Sequence, residues 1–210
     1  MASEIAKIIS PQNAISYELV TLHDKTASRC NLFTNEDLGY ASYAKTSNVR
    51  SIDLQQVFEY FMSIGSEQMF REMLVIDSLC FNQDRHTGNY GVLFVNDTLN
   101  IIGMSPIFDL NLSLMPYIEA DDFLNIGDKL FEYSPKLGDD FTRIGQMGMN
   151  DTLRNKVKDM QDFSFTFQGD DIFTENHVKE LETIVRRQKL SCQPISCIQR
   201  MCSFLKEPQI

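Results

Sequence analysis

The chain has 210 residues, of which 43% are hydrophobic and 23% charged, as in a globular protein with one sizeable core or two small lobes. Its net charge of -10 and its pI of about 4.7 disfavour non-specific binding to nucleic-acid phosphates or to anionic lipid. There is no basic-then-apolar signal peptide and no run of about 18 apolar residues. We therefore expect no direct nucleic-acid partner and no membrane association.

The five cysteines are odd in number and form no C-x-x-C pair or zinc-type spacing. They are Cys30, Cys80, Cys192, Cys197 and Cys202. This usage predicts free thiols in a reducing, cytoplasmic setting. There the cysteines would act as small buried hydrophobic residues.

The first part of the chain predicts a short helix and a β-hairpin. Residues 3–9 have helical character, and residues 15–22 alternate in polarity as a strand does. After a polar turn at residues 23–25, residues 27–33 can return as a second strand.

Two helices are predicted next. Asp53 is a suitable N-cap with Gln56 at the capping-box position, and Gly65 marks the end of that helix. Ser66 can cap the second helix. Apolar residues surround much of its circumference, so we expect it to be buried as far as about Cys80.

The pattern then changes to a polar loop and a second hairpin. Residues 82–89 are polar and contain a glycine, and residues 91–95 and 99–104 predict two short strands joined at Asn96-Asp97. Another polar segment begins at Pro106. A buried helix would thus lead into a loop, a hairpin and a second loop.

The remainder of the chain predicts helices. Asn150 or Asp151 can cap one of them and Thr174 another. The apolar stripe of the last helix consists of Val178, Leu181, Ile184 and Val185. From about residue 194 the chain is a weakly specified tail.

Two polar strings flank the second hairpin, F-N-Q-D-R-H-T-G-N-Y-G at 81–91 and S-P-I-F-D-L at 105–110. Phosphoryl transfer requires a carboxylate base and oxygen ligands that hold Mg²⁺ against the phosphates. Asp84 and Asn89 have the spacing that kinases use for the base and a metal-binding asparagine. Asp109 follows the hairpin, where a second metal ligand is needed. The hairpin is short enough to fold both polar ends onto one site.

The combination of D-R-H-x-x-N and S-P-x-F-D resembles the HipA-like serine/threonine kinases. Residues 17–20 and 28–34 resemble the same family, and the resemblance extends over about residues 3–190, although it is sharp only at the two strings. It implies an α+β, mostly α-helical fold. This fold would be a protein-kinase-like C-lobe with a hinge hairpin and a catalytic-loop β-hairpin.

The same resemblance predicts the organisation of the chain. Residues 1–50 would hold a residual N-lobe helix, the hinge strands and a linker, and residues 51–193 would form the kinase C-lobe. Residues 194–210 would be a C-terminal tail. Residues 30–34 would fall near the hinge, where backbone groups hold the adenine.

The resemblance also implies roles for individual residues. Asp84 would be the catalytic base, and Asn89 and Asp109 would bind Mg²⁺. His86 and Phe108 would lie against the nucleotide. The reaction would move the γ-phosphate of ATP to a hydroxyl of a protein substrate.

The sequence departs from the family at its start. It contains no G-x-G-x-x-G loop and no strand lysine before the first helix, where Glu4 would match the family's ion-pairing glutamate. We therefore expect most of the N-lobe to be missing. The chain would be a fragment, one half of a split kinase that needs an N-lobe or antitoxin-type partner, or a kinase that only binds.

Several alternatives stay open. Asp84 and Asn89 could be turn formers, and Asp109 could be a helix cap. D-R-H-x-x-N also resembles the phosphoinositide kinases, whose substrate is a lipid. A third alternative is a non-catalytic module, such as a pseudokinase or a toxin–antitoxin component. The Asp121-Asp122 and Asp139-Asp140 pairs are expected to be solvated loop charges rather than metal ligands.

Overall fold

A computed structural model describes residues 1–47, 53–167 and 174–192. The α-helices are α1 (Ala2–Ile9), α2 (Tyr43–Thr46), α3 (Leu54–Ser63), α4 (Glu67–Cys80), α5 (Ile126–Lys129), α6 (Phe141–Gly148), α7 (Asp151–Asp159) and α8 (Glu175–Ser191). Short 3₁₀ segments cover Ala120–Asn125 and Leu130–Glu132. The strands are β1 (Glu18–Leu22), β2 (Lys25–Arg29), β3 (Leu38–Ser42), β4 (Gly91–Val95) and β5 (Ile101–Met104). The protein is therefore mixed α/β, with more helix than strand.

The strands form two small antiparallel sheets. β1 and β2 make a two-stranded hairpin whose turn residues, His23 and Asp24, both have positive φ. β3, β4 and β5 make a three-stranded sheet with β4 in the centre. At the β3–β4 contact, a Cβ on Gly39 would come within 2.4 Å of the Phe94 ring, so a larger residue there would require the Phe94 side chain to move.

The core is built around α4, which packs against α1, α3, α6 and α8. Every residue from Glu72 to Cys80 is buried. Phe81 then takes the left-handed conformation that glycine usually supplies at a helix end. This turn directs the chain into the polar loop between α4 and β4.

A polar cluster around the buried Glu72 connects α4 to α1 and α7. The buried Glu72 carboxylate accepts hydrogen bonds from Ser10, Asn13 and Gln68, and Lys156 lies 3.4 Å away. Burial by itself would raise the pKa of Glu72. The hydrogen bonds and the lysine outweigh burial and hold this pKa below its ordinary value.

Most of the elements predicted from sequence are confirmed. They include helix α1, the β1–β2 hairpin, helix α4 ending at Cys80 and strand β4. The N-caps Asp53, Asn150 and Thr174 each accept a backbone hydrogen bond at the start of their helix. The strands of the first hairpin are shorter than predicted and cover Glu18–Leu22 and Lys25–Arg29.

Three details differ from the predictions. Asp53 accepts from the backbone of Gln55, so the capping box with Gln56 does not form. The Ser66 hydroxyl does not cap α4 but accepts from the Met104 backbone at 2.9 Å, which ties β5 to the start of that helix. Strand β3 was not predicted.

Some predictions lie outside the described residues. They are the boundary between residues 50 and 51, the tail from residue 194, and the burial of Cys197 and Cys202. Within the described ranges, no helix is long and apolar enough to cross a membrane.

Candidate active site

The loop between α4 and β4 is held by short-range hydrogen bonds. The Asn82 carboxamide donates to Asp77 at 2.8 Å and accepts from the backbone of Asp84 at 3.2 Å. The backbone amide of His86 donates to the carbonyl of Asp84 at 2.7 Å, and that of Asn89 donates to the carbonyl of His86 at 2.8 Å. These bonds hold the loop in a series of tight turns that carries both Asp84 and Asn89.

Arg85 is the buried centre of this region, with a fully buried side chain. Its Nε and Nη2 bind the two carboxylate oxygens of Asp77 at 2.7 and 2.9 Å. Its Nη1 donates to the carbonyls of Asn89 at 2.8 Å and Phe108 at 2.7 Å. A single guanidinium thus joins the two polar strings that the sequence places about 20 residues apart.

The charge of Arg85 is stabilised in its buried position. Burial by itself would lower the pKa of the guanidinium, but the Asp77 carboxylate raises it above its ordinary value, and Asp109 contributes at longer range. Because Asp77 and Arg85 are both almost fully buried, loss of either side chain would leave the other buried without its ion-pair partner.

Asn89 and Asp84 are linked directly. The Asn89 side-chain nitrogen donates to the backbone carbonyl of Asp84 at 3.0 Å, and no hydrogen bond from the described residues engages its amide oxygen. The Asp84 carboxylate forms an ion pair with Lys136, and His86 Nε2 lies 4.0 Å from its other oxygen.

Asp109 lies at the second string. Its φ of 56° is in the left-handed region, and its backbone amide donates to the Tyr17 hydroxyl at 3.0 Å. A parallel bridge between Ala14 and Ile107 fixes this segment beside the chain that leads into β1. No hydrogen bond or ion pair from the described residues engages the Asp109 carboxylate.

An aromatic pocket of about 480 Å³ opens next to this string. Its lining includes Tyr17, the predicted hinge residues 30–34, Tyr40 and Phe108. Phe33, Tyr40 and Phe108 pack on one another with ring centroids 5.2–5.7 Å apart. This arrangement of rings suits a flat, partly apolar ligand.

Tyr40 connects the pocket to the loop. Its ring contacts Phe108, and its hydroxyl donates to the carbonyl of Gly88 at 2.8 Å. Burial raises the pKa of Tyr40 to about 12, so the hydroxyl keeps its proton and its donor role at neutral pH.

The remaining candidates are placed as follows. Phe108 lines the pocket, whereas His86 is not among the lining residues and is partly exposed beside Asp84. The predicted contacts of both residues with a nucleotide stay predictions. Glu4 accepts a hydrogen bond from the backbone of Thr166 at 2.7 Å. Cys30 is exposed at the pocket, unlike Cys80 and Cys192, which are buried free thiols as expected.

The comparison with solved structures finds matches of high significance. One of them is the crystal structure of a Helicobacter pylori proinflammatory kinase, CtkA, with a TM-score of 0.65 and 15% sequence identity. The match covers 98% of this chain and 82% of that one. The chain has a kinase-like fold. No protein-family model and no curated protein matches its sequence.

Acidic pairs elsewhere have structural partners. Asp122 completes a capping box with Glu119, and Asp140 caps α6 through the backbone of Arg143. Asp139 pairs with the Arg143 side chain. In the described parts of the chain, no group of three or more His, Cys, Asp or Glu residues could hold a metal ion.

Four residues of the site were missed in the sequence analysis: Asp77, Arg85, Tyr40 and Lys136. Arg85 is part of the D-R-H-x-x-N motif. A charged residue next to the end of a strongly apolar helix could have indicated a buried ion pair. The contacts of Tyr40 and Lys136 join residues 48 and 52 positions apart, which no local pattern reveals.

Proposed function

We propose that this chain is an ATP-dependent phosphotransferase of the HipA-like serine/threonine kinase type. In this proposal Asp84 is the base, Asn89 and Asp109 hold Mg²⁺, and a protein hydroxyl receives the γ-phosphate. The observation that carries it is the contact of Arg85 with both the Asn89 and the Phe108 carbonyls. This contact brings together the two strings from which the base and the cation ligands would come.

The donor set fits Mg²⁺. One carboxylate, Asp109, and one amide oxygen, that of Asn89, are hard ligands that the described residues leave available. Magnesium in phosphotransfer sites takes one or two carboxylates, and nucleotide phosphates and water complete its coordination. A site with few protein ligands is therefore the kind expected here.

Asp84 supports the role of base by its position. It lies on the same fixed turn as Asn89, and its carboxylate is only partly exposed. In phosphoryl transfer the protein mainly positions the reactants and stabilises charge, and the base orients the attacking hydroxyl.

The aromatic pocket supports adenine binding. It adjoins the Asp109 segment through Phe108 and is lined by the predicted hinge residues 30–34. His86 is not part of its lining, so we assign it to the neighbourhood of Asp84 and the phosphates rather than to the adenine.

The parts that cover the phosphates would come from elsewhere. The sequence contains no G-x-G-x-x-G loop, and among the described residues Glu4 pairs with the N-terminal ammonium and with the Thr166 backbone, not with a lysine. We propose that an N-lobe or antitoxin-type polypeptide supplies a phosphate-covering loop and a lysine. Unaided turnover would then be slow.

A labelling experiment tests this function. With γ-labelled ATP, Mg²⁺ and a protein acceptor, transfer by wild type should exceed that by Asp84→Ala by about 10²–10⁴-fold. Asp159→Ala, at an exposed position on α7, is the matched control and should transfer like wild type. Equal labelling by wild type and Asp84→Ala contradicts the proposal.

A further inference from the structure

Lys136 lies over the candidate base although it is far from it in sequence. It belongs to the segment between the 3₁₀ turn Leu130–Glu132 and helix α6. Its ammonium group forms an ion pair with the Asp84 carboxylate and remains mostly exposed. Because most of this side chain is exposed, its ammonium group is accessible to an anionic group that enters from solvent.

The backbone holds Lys136 in this position. Its amide donates to the carbonyl of Gln83 at 3.2 Å, and the amide of Gln83 donates to the carbonyl of Leu112 at 3.2 Å. The next residue, Leu137, is fully buried and anchors the segment in the core. These contacts fix the backbone of Lys136 beside the loop that carries Asp84.

The other cationic groups of the loop are not available for this position. Arg85 is fully buried, and its guanidinium is occupied by Asp77 and two carbonyls. His86 accepts a hydrogen bond from Gly88 at Nδ1, and its Nε2 lies 4.0 Å from Asp84. Among the described residues, Lys136 is the lysine or arginine that pairs with Asp84.

We propose that Lys136 is a catalytic residue that bridges Asp84 and the transferring phosphoryl group; this deepens the proposed function and rests on it. In the step, the acceptor oxygen forms a bond to the γ-phosphorus, and the bond from that phosphorus to the bridging oxygen breaks. ADP leaves with the electron pair, and the acceptor proton passes to Asp84. The ammonium stabilises the charge on the γ-phosphoryl oxygens and keeps the carboxylate oriented.

The opposite role is an inhibitory clamp, in which Lys136 neutralises and blocks the base. The two roles predict opposite changes when the charge is removed. A residue needed for the phosphoryl group lowers kcat when lost, whereas a clamp raises it.

The test compares Lys136→Met, Lys136→Arg and Asp84→Ala in steady-state Mg·ATP hydrolysis, with water as the acceptor. Lys136→Met should lower kcat by about 10–10³-fold, the range for loss of one preorganised charge-stabilising donor. Its affinity for Mg²⁺ with a non-hydrolysable ATP analogue should change less than about 3-fold, because the effect is on the transition state. Lys136→Arg should recover part of the loss, and Lys158→Met, at an exposed site on α7, should match wild type.

Each outcome has one meaning. If Asp84→Ala loses hydrolysis but Lys136→Met retains or gains it, the role of Lys136 is overturned and the proposed function stands. If Lys136→Met loses analogue affinity in proportion to kcat, the residue only binds nucleotide, and the inference is overturned. If wild type binds no analogue, or Asp84→Ala hydrolyses ATP like wild type, the proposed function fails and the inference fails with it.

Discussion

The loop region, residues 77–91, carries the proposed base, and the β1–β2 hairpin, residues 18–29, lies between two residues that line the aromatic pocket. The two regions are held in different ways. The loop region is fixed by the buried Asp77–Arg85 pair and by the buried Asn82. The hairpin is exposed along both strands, and its cross-strand ion pair, Glu18 with Arg29, lies on the surface. We therefore expect the loop region to contribute more than the hairpin to the free energy of unfolding.

This difference in burial matches a difference in the roles proposed for the two regions. A base and metal ligands must be held in place before the substrate arrives, because reorganisation at the moment of reaction is costly. The residues that flank the hairpin, Tyr17 before β1 and Cys30 after β2, line the aromatic pocket. The exposed faces of the hairpin strands hold none of the proposed base or metal ligands, so they need not be fixed in this way.

The largest effect is expected in the loop region at Arg85. Arg85→Met leaves Asp77 as a buried, unpaired carboxylate and leaves two carbonyls without their donor. Removing one partner of a buried ion pair costs about 3–5 kcal/mol of unfolding free energy, and urea denaturation of the variant would measure this loss. Arg143→Met removes an exposed arginine–aspartate pair and should cost about 1 kcal/mol or less. Similar losses for the two variants would contradict the contrast.

The next effect depends on pH and concerns Glu72. The lowered pKa of Glu72 means that the folded protein favours its ionised form, so this stabilisation is present at neutral pH. It is lost as the pH falls through the ordinary glutamate pKa towards the lowered value. Glu72→Gln should therefore cost about 1–3 kcal/mol at pH 7 and less in acid, followed by denaturation as a function of pH. For Glu180→Gln, at an exposed site on α8, the difference in unfolding free energy from wild type should not depend on pH in this way. A loss of unfolding free energy in Glu72→Gln that is the same at every pH would contradict the lowered pKa.

A smaller effect is expected at Tyr40, where the pocket meets the loop region. Tyr40→Phe keeps the ring against Phe108 and removes only the hydroxyl that binds Gly88. The expected loss of unfolding free energy is about 0.5–1.5 kcal/mol, the usual contribution of one hydrogen bond. Tyr117→Phe, at a largely exposed tyrosine, is the control. If the two variants lose the same amount, the Tyr40 bond does not hold the loop.

The smallest effect is expected on the hairpin. Leu19 is 70% exposed on β1, so Leu19→Thr should change the unfolding free energy by no more than about 0.5 kcal/mol. Phe70→Leu, at a fully buried site on α4, provides the contrast and should cost more. A loss at Leu19 as large as that at Phe70 would mean that another surface covers the hairpin.

Local sequence signals predicted much of this fold. The end of α4, strand β4 and the caps at Asp53, Asn150 and Thr174 were recognised because each depends on residues a few positions apart. Phe108 and residues 30–34 line one pocket, and the family resemblance implies that both lie near the nucleotide. Their assignment to nucleotide binding remains a prediction.

The unpredicted features depend on long-range contacts. Strand β3 has no alternation in burial, since all five of its residues are half-buried, and it contains Gly39. It becomes a strand because it pairs with β4 some 50 residues later. Arg85 likewise gains its role only when Asp77 and Phe108 come together around it.

The central claim is that Asn89 and Asp109 form a Mg²⁺ site for a nucleotide. Calorimetry with a non-hydrolysable ATP analogue tests it directly, with and without Mg²⁺, on wild type and Asp109→Ala. The claim predicts binding that requires Mg²⁺ and is weakened at least about 10-fold by Asp109→Ala, a change of about 1.4 kcal/mol. Asp159→Ala should bind as wild type does. Absence of analogue binding by wild type, or equal Mg²⁺-dependent binding by wild type and Asp109→Ala, would contradict the claim.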